Sequence, residues 1–135
     1  MTNDRASPTR DNKFTLLVLG GTTVAYTKEF RTLVHQQLNL LMPVEMRPMF
    51  GGIGIYSEGF FFALLDDDVL YFKVDGQTIS RYRAQALPQF MNMAYYAVPA
   101  AVLDDAELLR EWADEALDVA RRAKSAKTRS QPGKG

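Results

Sequence analysis

The chain has 135 residues, no cysteine, and sixteen basic residues that balance sixteen acidic ones. This length predicts one domain with a single hydrophobic core, and the lack of cysteine excludes disulfide bonds, thiolate catalysis and cysteine-ligated metal sites. A net charge of zero gives no overall attraction to nucleic acid, and no stretch is apolar over the length of a membrane-spanning helix.

The segment before the first helical pattern, residues 1–26, is predicted to form an N-terminal arm. Its apolar run at residues 14–19 could be a short strand. Gly20 and Gly21 follow this run, and a strand followed by glycines and a helix is one half of a nucleotide-binding turn. No βαβ pattern follows, so the sequence gives only weak support for a nucleotide site here.

The spacing of apolar residues predicts an amphipathic helix over residues 27–41. Thr27 is expected to cap its N-terminus, and Pro43 prevents the helix from continuing. The apolar stripe consists of Phe30, Leu33, Val34, Leu38 and Leu41. His35 flanks this stripe and has no neighbour that suits a catalytic pair or a metal site, so we expect a partly exposed surface residue.

The middle of the chain predicts an antiparallel sheet of four to five strands. Residues 44–50 are extended, and Pro48 places them at an edge or a bulge because proline cannot donate to the ladder. Three apolar segments with short turns between them predict a meander; they are residues 53–56, 60–65 and 69–74. A short helix at 78–86, with Ile79, Tyr82 and Ala86 facing inward, then precedes a later strand at 93–98.

A second amphipathic helix ends the predicted fold. Its apolar stripe consists of Leu108, Leu109, Trp112, Ala116, Val119 and Ala120. Asp104 and Glu107 predict a capped N-terminus, and the acidic residues opposite the stripe are interpreted as a solvated helix face. The predicted order is α-β-β-β-α-β-α, which is an α+β fold with the sheet packed against helices.

Two acidic or glycine-rich segments could bind a small ligand. Gly51, Gly52 and Gly54 are spaced like a phosphate-binding loop, but a strand follows them where such a loop requires a helix. We therefore expect these glycines to allow close strand packing and a bulge or bend. The run at residues 66–68 offers carboxylates to a cation, yet it lacks the ligand spacing of a calcium loop and is expected to be a hairpin turn.

Nucleic acid has two candidate contact surfaces. Tyr71, Tyr95 and Tyr96 are residues that strands favour, and they could also stack on bases beside Lys73. Residues 124–135 are rich in Ser, Lys and Gly and are predicted to form a disordered basic tail. The cations of this end that could contact phosphates are Arg121, Arg122, Lys124, Lys127 and Arg129.

Several motifs, taken in order, resemble the N-terminal domain of the TfoX/Sxy family from about residue 27 to residue 123. They are Met49-Phe50-Gly51-Gly52-x-Gly54-Ile55-Tyr56, Leu70-Tyr71-Phe72-Lys73-Val74-Asp75, Tyr95-Tyr96-x-Val98-Pro99 and Leu108-x-x-x-Trp112-Ala113. Within these motifs, structural roles are expected for Met49, Phe50, Gly51, Gly52, Gly54, Tyr56, Tyr71, Lys73, Tyr96, Pro99 and Trp112.

The resemblance implies a cytoplasmic bacterial protein of the α+β class, associated with transcriptional control and the regulation of competence. It implies protein–protein contact, with no catalytic residue, no cofactor and no metal. Family members that regulate competence carry a second, C-terminal domain, whereas this chain is expected to be a stand-alone N-terminal domain. Compared with the family, the loop between Phe90 and Met93 looks shortened, and residues 14–24 are an added front end.

Two alternatives remain open at the level of sequence. The first is direct DNA binding through the basic tail and an exposed sheet face. The second is a small-molecule or nucleotide pocket near Gly20 and Gly21 or near Gly51 and Gly52. The identity of the partner and the oligomeric state are not specified by the sequence.

Overall fold

The computed structural model describes residues 27–49 and 51–130, the segment 126–130 by its backbone alone. The predicted N-terminal arm, with its strand at 14–19 and its Gly20-Gly21 pair, lies outside the described residues. Phe50 and residues 131–135 also lie outside them.

The described chain forms one five-stranded antiparallel sheet and four helices. The strands are β1 Glu45–Met49, β2 Gly52–Ser57, β3 Phe60–Asp66, β4 Val69–Lys73 and β5 Tyr95–Ala97, and the helices are α1 Lys28–Asn39, α2 Ile79–Ala84, α3 Ala100–Leu103 and α4 Ala106–Ser130. The strands lie side by side in chain order. This confirms the predicted α+β class and the number of strands, with β1 as a full member of the sheet.

The edge strand β1 contains Pro48 and pairs only with β2 in the described sheet, as the proline predicted. The two hairpin turns that follow also match their sequences. Glu58 and Gly59 have φ values of 55° and 81°, and Asp67 and Asp68 have 53° and 55°. Positive φ at both central residues matches the right-handed twist of the flanking strands.

The N-terminus of α1 is fixed in two ways. The hydroxyl of Thr27 accepts a hydrogen bond from the N–H of Phe30 at 3.1 Å, which confirms the predicted cap. The N–H of Thr27 donates to the carboxylate of Asp68 at 2.6 Å. The acidic turn between β3 and β4 therefore holds the start of the first helix.

The last helix begins and ends differently from its prediction. Asp105 caps α4, since its carboxylate accepts from the N–H groups of Glu107 and Leu108 at 3.0 and 3.1 Å. The predicted cap, Asp104, instead ends the short helix α3, which starts after Pro99 and was not predicted. The backbone of α4 continues past the predicted boundary at residue 123 and ends at Ser130.

The main core lies between the sheet and the helices. Its buried aromatic members are Phe62, Phe72, Tyr82, Tyr96 and Trp112. The two helical stripes predicted from the sequence supply much of the rest: Val34, Leu38, Leu109, Ala116 and Ala120. Three residues were placed inward wrongly, because Leu33 and Leu108 are 40% and 38% exposed and Ala86 is exposed after the end of α2.

A β-bulge in β3 changes the pattern of burial along that strand. Ile55 pairs with Ala63, and Tyr56 pairs with Phe61, so Phe62 has no partner of its own on β2. Phe62 and Ala63 are consecutive residues, yet both are fully buried in the main core. The almost continuous apolar run of β3 thus reflects the bulge, which turns two consecutive residues toward the main core.

Candidate functional site

The face of the sheet opposite the main core carries a separate, smaller cluster of apolar residues. We call it the open face; its residues are Arg47, Met49, Gly52, Gly54, Tyr56, Phe61, Leu64, Tyr71, Lys73 and Tyr95, with Phe90 and Met93 from the loop before β5. No helix contributes to this cluster in the described chain. Its outermost rings therefore remain partly exposed.

A row of cations and aromatic rings crosses the open face. The guanidinium of Arg47 lies 4.5 Å from the ring centroid of Tyr56, which stacks on Phe61 at 5.0 Å. Phe61 contacts Tyr95 at 5.3 Å, and the ammonium of Lys73 lies 4.9 Å from the Tyr95 centroid. Each contact of this type contributes about 0.5–1.5 kcal/mol. The row joins side chains from all five strands.

The glycines of the motif form the floor under this row. A Cβ on Gly54 would lie 2.6 Å from the sulfur of Met49 and 3.2 Å from the ring of Phe61. A Cβ on Gly52 would lie 2.2 Å from the carbonyl oxygen of Leu65. Gly51 has a φ of 79° in the tight turn between β1 and β2. The prediction of close packing around Gly52 and Gly54 is confirmed.

A shallow recess opens beside Gly52. Its cavity volume is about 10 Å³, which is room for a single water-sized group. Its lining is apolar apart from one carboxylate and consists of Met49, Gly52, Ile53, Leu64, Leu65, Asp66 and Phe90. The recess is too small for a nucleotide, and a phosphate beside it would meet the carboxylate of Asp66 and no cation of the lining.

Lys73 has an unusual environment for a surface cation. Its side chain is half-buried, and burial lowers the pKa of its ammonium from the ordinary value. Within the part of the chain that the structure describes, no carboxylate forms an ion pair with it. The ring of Tyr95 is its partner.

Tyr95 lies underneath Phe61 and Lys73 and is only 2% exposed. Burial, together with the nearby Tyr56, raises the pKa of its phenol. The Tyr95 hydroxyl has no hydrogen-bond partner among the described residues. Burying a hydroxyl without a hydrogen bond destabilises the fold, because the group loses its contacts with water and gains none in return.

The three tyrosines that could have formed one stacking surface do not share a face of the sheet, since Tyr71 and Tyr95 lie on the open face and Tyr96 on the other. Tyr71 packs on Phe90 at 5.1 Å, and burial and then Asp66 raise the pKa of its phenol. Tyr96 faces the main core, where it contacts Tyr82. The partly exposed rings of the row are instead those of Tyr56 and Phe61.

The family-motif residues near the helices have structural positions. Trp112 packs edge-on against Tyr82 at 4.9 Å and is covered by the guanidinium of Arg81 at 4.7 Å. Arg81 pairs with Glu111 at 3.0 Å, which connects α2 to α4. Pro99 precedes α3 and occupies its N-cap position.

The basic residues predicted to meet nucleic acid are partly engaged within the domain. Arg121 pairs with Glu58 at 2.8 Å and with Asp118 at 3.1 Å. Arg122 pairs with Asp75 at 2.9 Å, and Lys124 lies 5.2 Å from the ring of Phe60. Lys127 and Arg129 lie on the last turns of α4, where the structure describes only the backbone.

Sequence reasoning missed Arg47 and Phe61 as members of a surface. Arg47 lies on the edge strand, and a cation there was not connected to the tyrosines of distant segments. Phe61 stands between Phe60 and Phe62, which both pack on the main core, and the bulge hides its outward direction from a simple alternation rule. One pattern could have identified Arg47: alternate residues of a strand share a face, so Glu45, Arg47 and Met49 lie on the same side of β1.

The described residues contain neither a metal-binding group nor a membrane-spanning helix. No group of three or more His, Cys, Asp or Glu side chains there could hold a metal ion. His35 is half-buried on α1. No described helix has both the length and the apolarity needed to cross a membrane.

The comparison with known families identifies the domain. No match to a curated protein was found. The family model described as TfoX N-terminal domain matches residues 36–120, a range that includes all five strands, the open face and the contact between Arg81 and Trp112. The chain therefore belongs to the TfoX N-terminal domain family.

Proposed function

We propose that the protein is a non-enzymatic, cytoplasmic accessory factor of bacterial transcription regulation, of the competence-regulating type, that acts by binding another protein through its open face. The observation that carries this proposal is the row of Tyr56 and Phe61 between Arg47 and Lys73, which no helix covers within the part of the chain that the structure describes. Tyrosine and arginine are enriched among the residues that contribute most to protein interfaces.

Rigidity of the row also supports the proposal. The Tyr56 and Phe61 rings stack on each other, and their positions are fixed from below by Gly54 and Tyr95. Side chains that are already ordered lose little conformational entropy when a partner binds. A surface of this kind can contribute to affinity although it is small.

The alternative of DNA binding by the basic end has less support. Arg121 and Arg122 already form ion pairs with Glu58, Asp118 and Asp75, and these would compete with phosphates. The alternative of a nucleotide pocket beside Gly52 is disfavoured by the apolar lining and the carboxylate of the recess.

Site-specific photo-crosslinking in cells tests the proposal. A photoreactive phenylalanine at position 56 should capture a component of transcription, and one at position 40 should not, because Leu40 is 78% exposed at the end of α1, away from the open face. Deletion of the gene should change the transcriptome. The proposal is wrong if position 56 captures no transcription component and deletion leaves the transcriptome unchanged.

A further inference from the structure

We infer that the open face recognises an extended acidic segment of its partner, in which a carboxylate binds Lys73 and an apolar side chain lies on Tyr56 and Phe61. This inference rests on the proposed function and gives the chemistry of its partner. Three observations on the open face carry it: an unpaired cation, a second cation across the sheet, and the apolar surface between them.

The unpaired cation is Lys73. Its ammonium is half-buried, lies over Tyr95 and forms no ion pair with a carboxylate of the described chain. A carboxylate that reaches this position gains a charge-assisted hydrogen bond in an environment with less water than an ordinary surface. Partial burial has already removed some of the water around this cation, so binding requires less further desolvation than at a fully exposed lysine.

The second cation is Arg47, on the edge of the sheet. It pairs with Glu45 at 3.0 Å, but both side chains are more than half exposed. An exposed pair of this kind is weak, so a carboxylate of the partner can replace Glu45. Strands β1 and β4 are three spacings apart, which is about 14 Å across the sheet. Lys73 also lies two residues along β4 from Tyr71, the residue level with Arg47, so the Cα atoms of the two cations are about 16 Å apart.

An extended peptide can bridge the two cations. Its rise of about 3.3 Å per residue spans about 13 Å in four residues, and the long side chains of the two cations and of the acidic residues cover the remaining distance. Residues i and i+4 of an extended segment point to the same side, and residue i+2 also points to that side. Two acidic residues four positions apart would therefore place an apolar residue between them on Tyr56 and Phe61.

Single-stranded nucleic acid fits this surface less well. Proteins that bind it follow the phosphate chain with a continuous groove of positive charge. On the open face, the two cations are separated by aromatic rings, and the carboxylates of Glu45 and Asp66 lie near the ends of the surface. The observations therefore favour an acidic peptide.

Fluorescence anisotropy with defined probes tests the inference on the full chain. The probe is a labelled peptide, Gly-Ser-Glu-Leu-Leu-Phe-Glu-Gly-Ser, and its control has Gln in place of both Glu residues. We expect the acidic peptide to bind at least fivefold more tightly than the Gln peptide. Lys73→Met should weaken the acidic peptide about fivefold or more and leave the Gln peptide unchanged.

Lys124→Met is the matched control, because Lys124 also lies over a ring, that of Phe60, but contacts the helix side of the sheet. It should leave binding of both peptides unchanged. Circular dichroism and the urea midpoint show whether Lys73→Met is folded, and the Gln peptide reports on the remaining apolar surface. Equal binding of the two peptides by the unaltered protein, or equal losses in the two lysine variants, would overturn the inference.

Two further outcomes separate this inference from the proposed function. In the first, a labelled ten-nucleotide deoxythymidine strand binds more tightly than the acidic peptide, and Lys73→Met loses this binding. The open face would then be a nucleic-acid site, and the inference of an acidic peptide would be overturned. Capture of a transcription component at position 56 through a segment without acidic residues would overturn the inference while the proposed function stands.

Discussion

Gly52→Ala tests whether the glycine motif exists for close strand packing. The added Cβ would lie 2.2 Å from the carbonyl oxygen of Leu65, on the backbone of β3. Carbon and oxygen atoms of neighbouring strands normally approach to about 3.3 Å, so the strands must separate by about 1 Å. Unlike a side chain, the backbone of a central strand cannot rotate away, because β3 pairs on both sides.

The expected loss of stability follows from this overlap. Overpacking of a well-packed site costs about 3 kcal/mol when the backbone must shift. Replacing glycine in a strand returns about 0.5–1 kcal/mol through the smaller entropy of the unfolded chain. The net change in the free energy of unfolding is therefore about 2 kcal/mol. With a urea m-value of about 2 kcal/mol/M, the midpoint should fall by about 1 M.

Urea unfolding followed by tryptophan fluorescence measures this change, since Trp112 is buried in the main core. Gly76→Ala is the matched control, because a Cβ there would meet nothing within 4 Å and its φ is not positive. Its midpoint should stay the same or rise slightly. If both variants unfold at the same urea concentration, Gly52 is not required for the approach of β2 and β3.

Three further predictions concern single contacts. Thr27→Ala removes the hydroxyl that caps α1 and should lower the free energy of unfolding by about 1 kcal/mol in a urea titration, whereas Thr27→Ser should restore most of it. Tyr95→Phe removes a buried hydroxyl without a described partner, so thermal unfolding should show equal or greater stability, by up to about 1 kcal/mol; a clear loss would mean that the hydroxyl is bonded. For Asp75, burial alone would raise the pKa of the carboxyl, but hydrogen bonds from Arg122 and the Gln77 N–H lower it overall. A lowered pKa in the folded state stabilises the fold above the ordinary carboxyl pKa of about 3.9 and ceases to do so as pH falls through the lower value. The loss of stability in Asp75→Asn should therefore be largest near pH 7 and shrink below about pH 4; a constant loss across urea titrations at pH 7, 5 and 3 would contradict this reasoning.

Local rules predicted the parts of the fold that depend on neighbouring residues. The cap at Thr27, the edge position of Pro48 and the turn at Gly59 each follow from the chemistry of one residue. The cap of α4 was misplaced by one position because a second helix, α3, ends at Asp104. Two candidate acidic caps in succession cannot be distinguished without knowing what precedes them.

The open face could be predicted only in part, because it depends on contacts between distant segments. Lys73 was recognised as a cation beside tyrosines, but Arg47 comes from the edge strand β1, three strands away from β4. The separation of Tyr95 and Tyr96 onto opposite faces follows from strand alternation. The described helices cover one face of the sheet and leave the other open. This choice depends on tertiary packing, and no local sequence pattern predicts it.

The bulge in β3 has a consequence for insertions and deletions in this domain. With regular alternation from Ala63 and Leu65, Phe61 would face the main core, and Phe60 and Phe62 would face outward. The extra residue inverts the parity of the strand, so that Phe61 completes the row between Tyr56 and Tyr95. A chain that lacked residue 62 would join Phe61 directly to Ala63, so Phe61 would still pair with Tyr56 and face the row, and only a buried ring of the main core would be lost. The bulge therefore adds Phe62 to the core without moving Phe61 off the surface, and a deletion at this point is the one that β3 should tolerate without loss of the row.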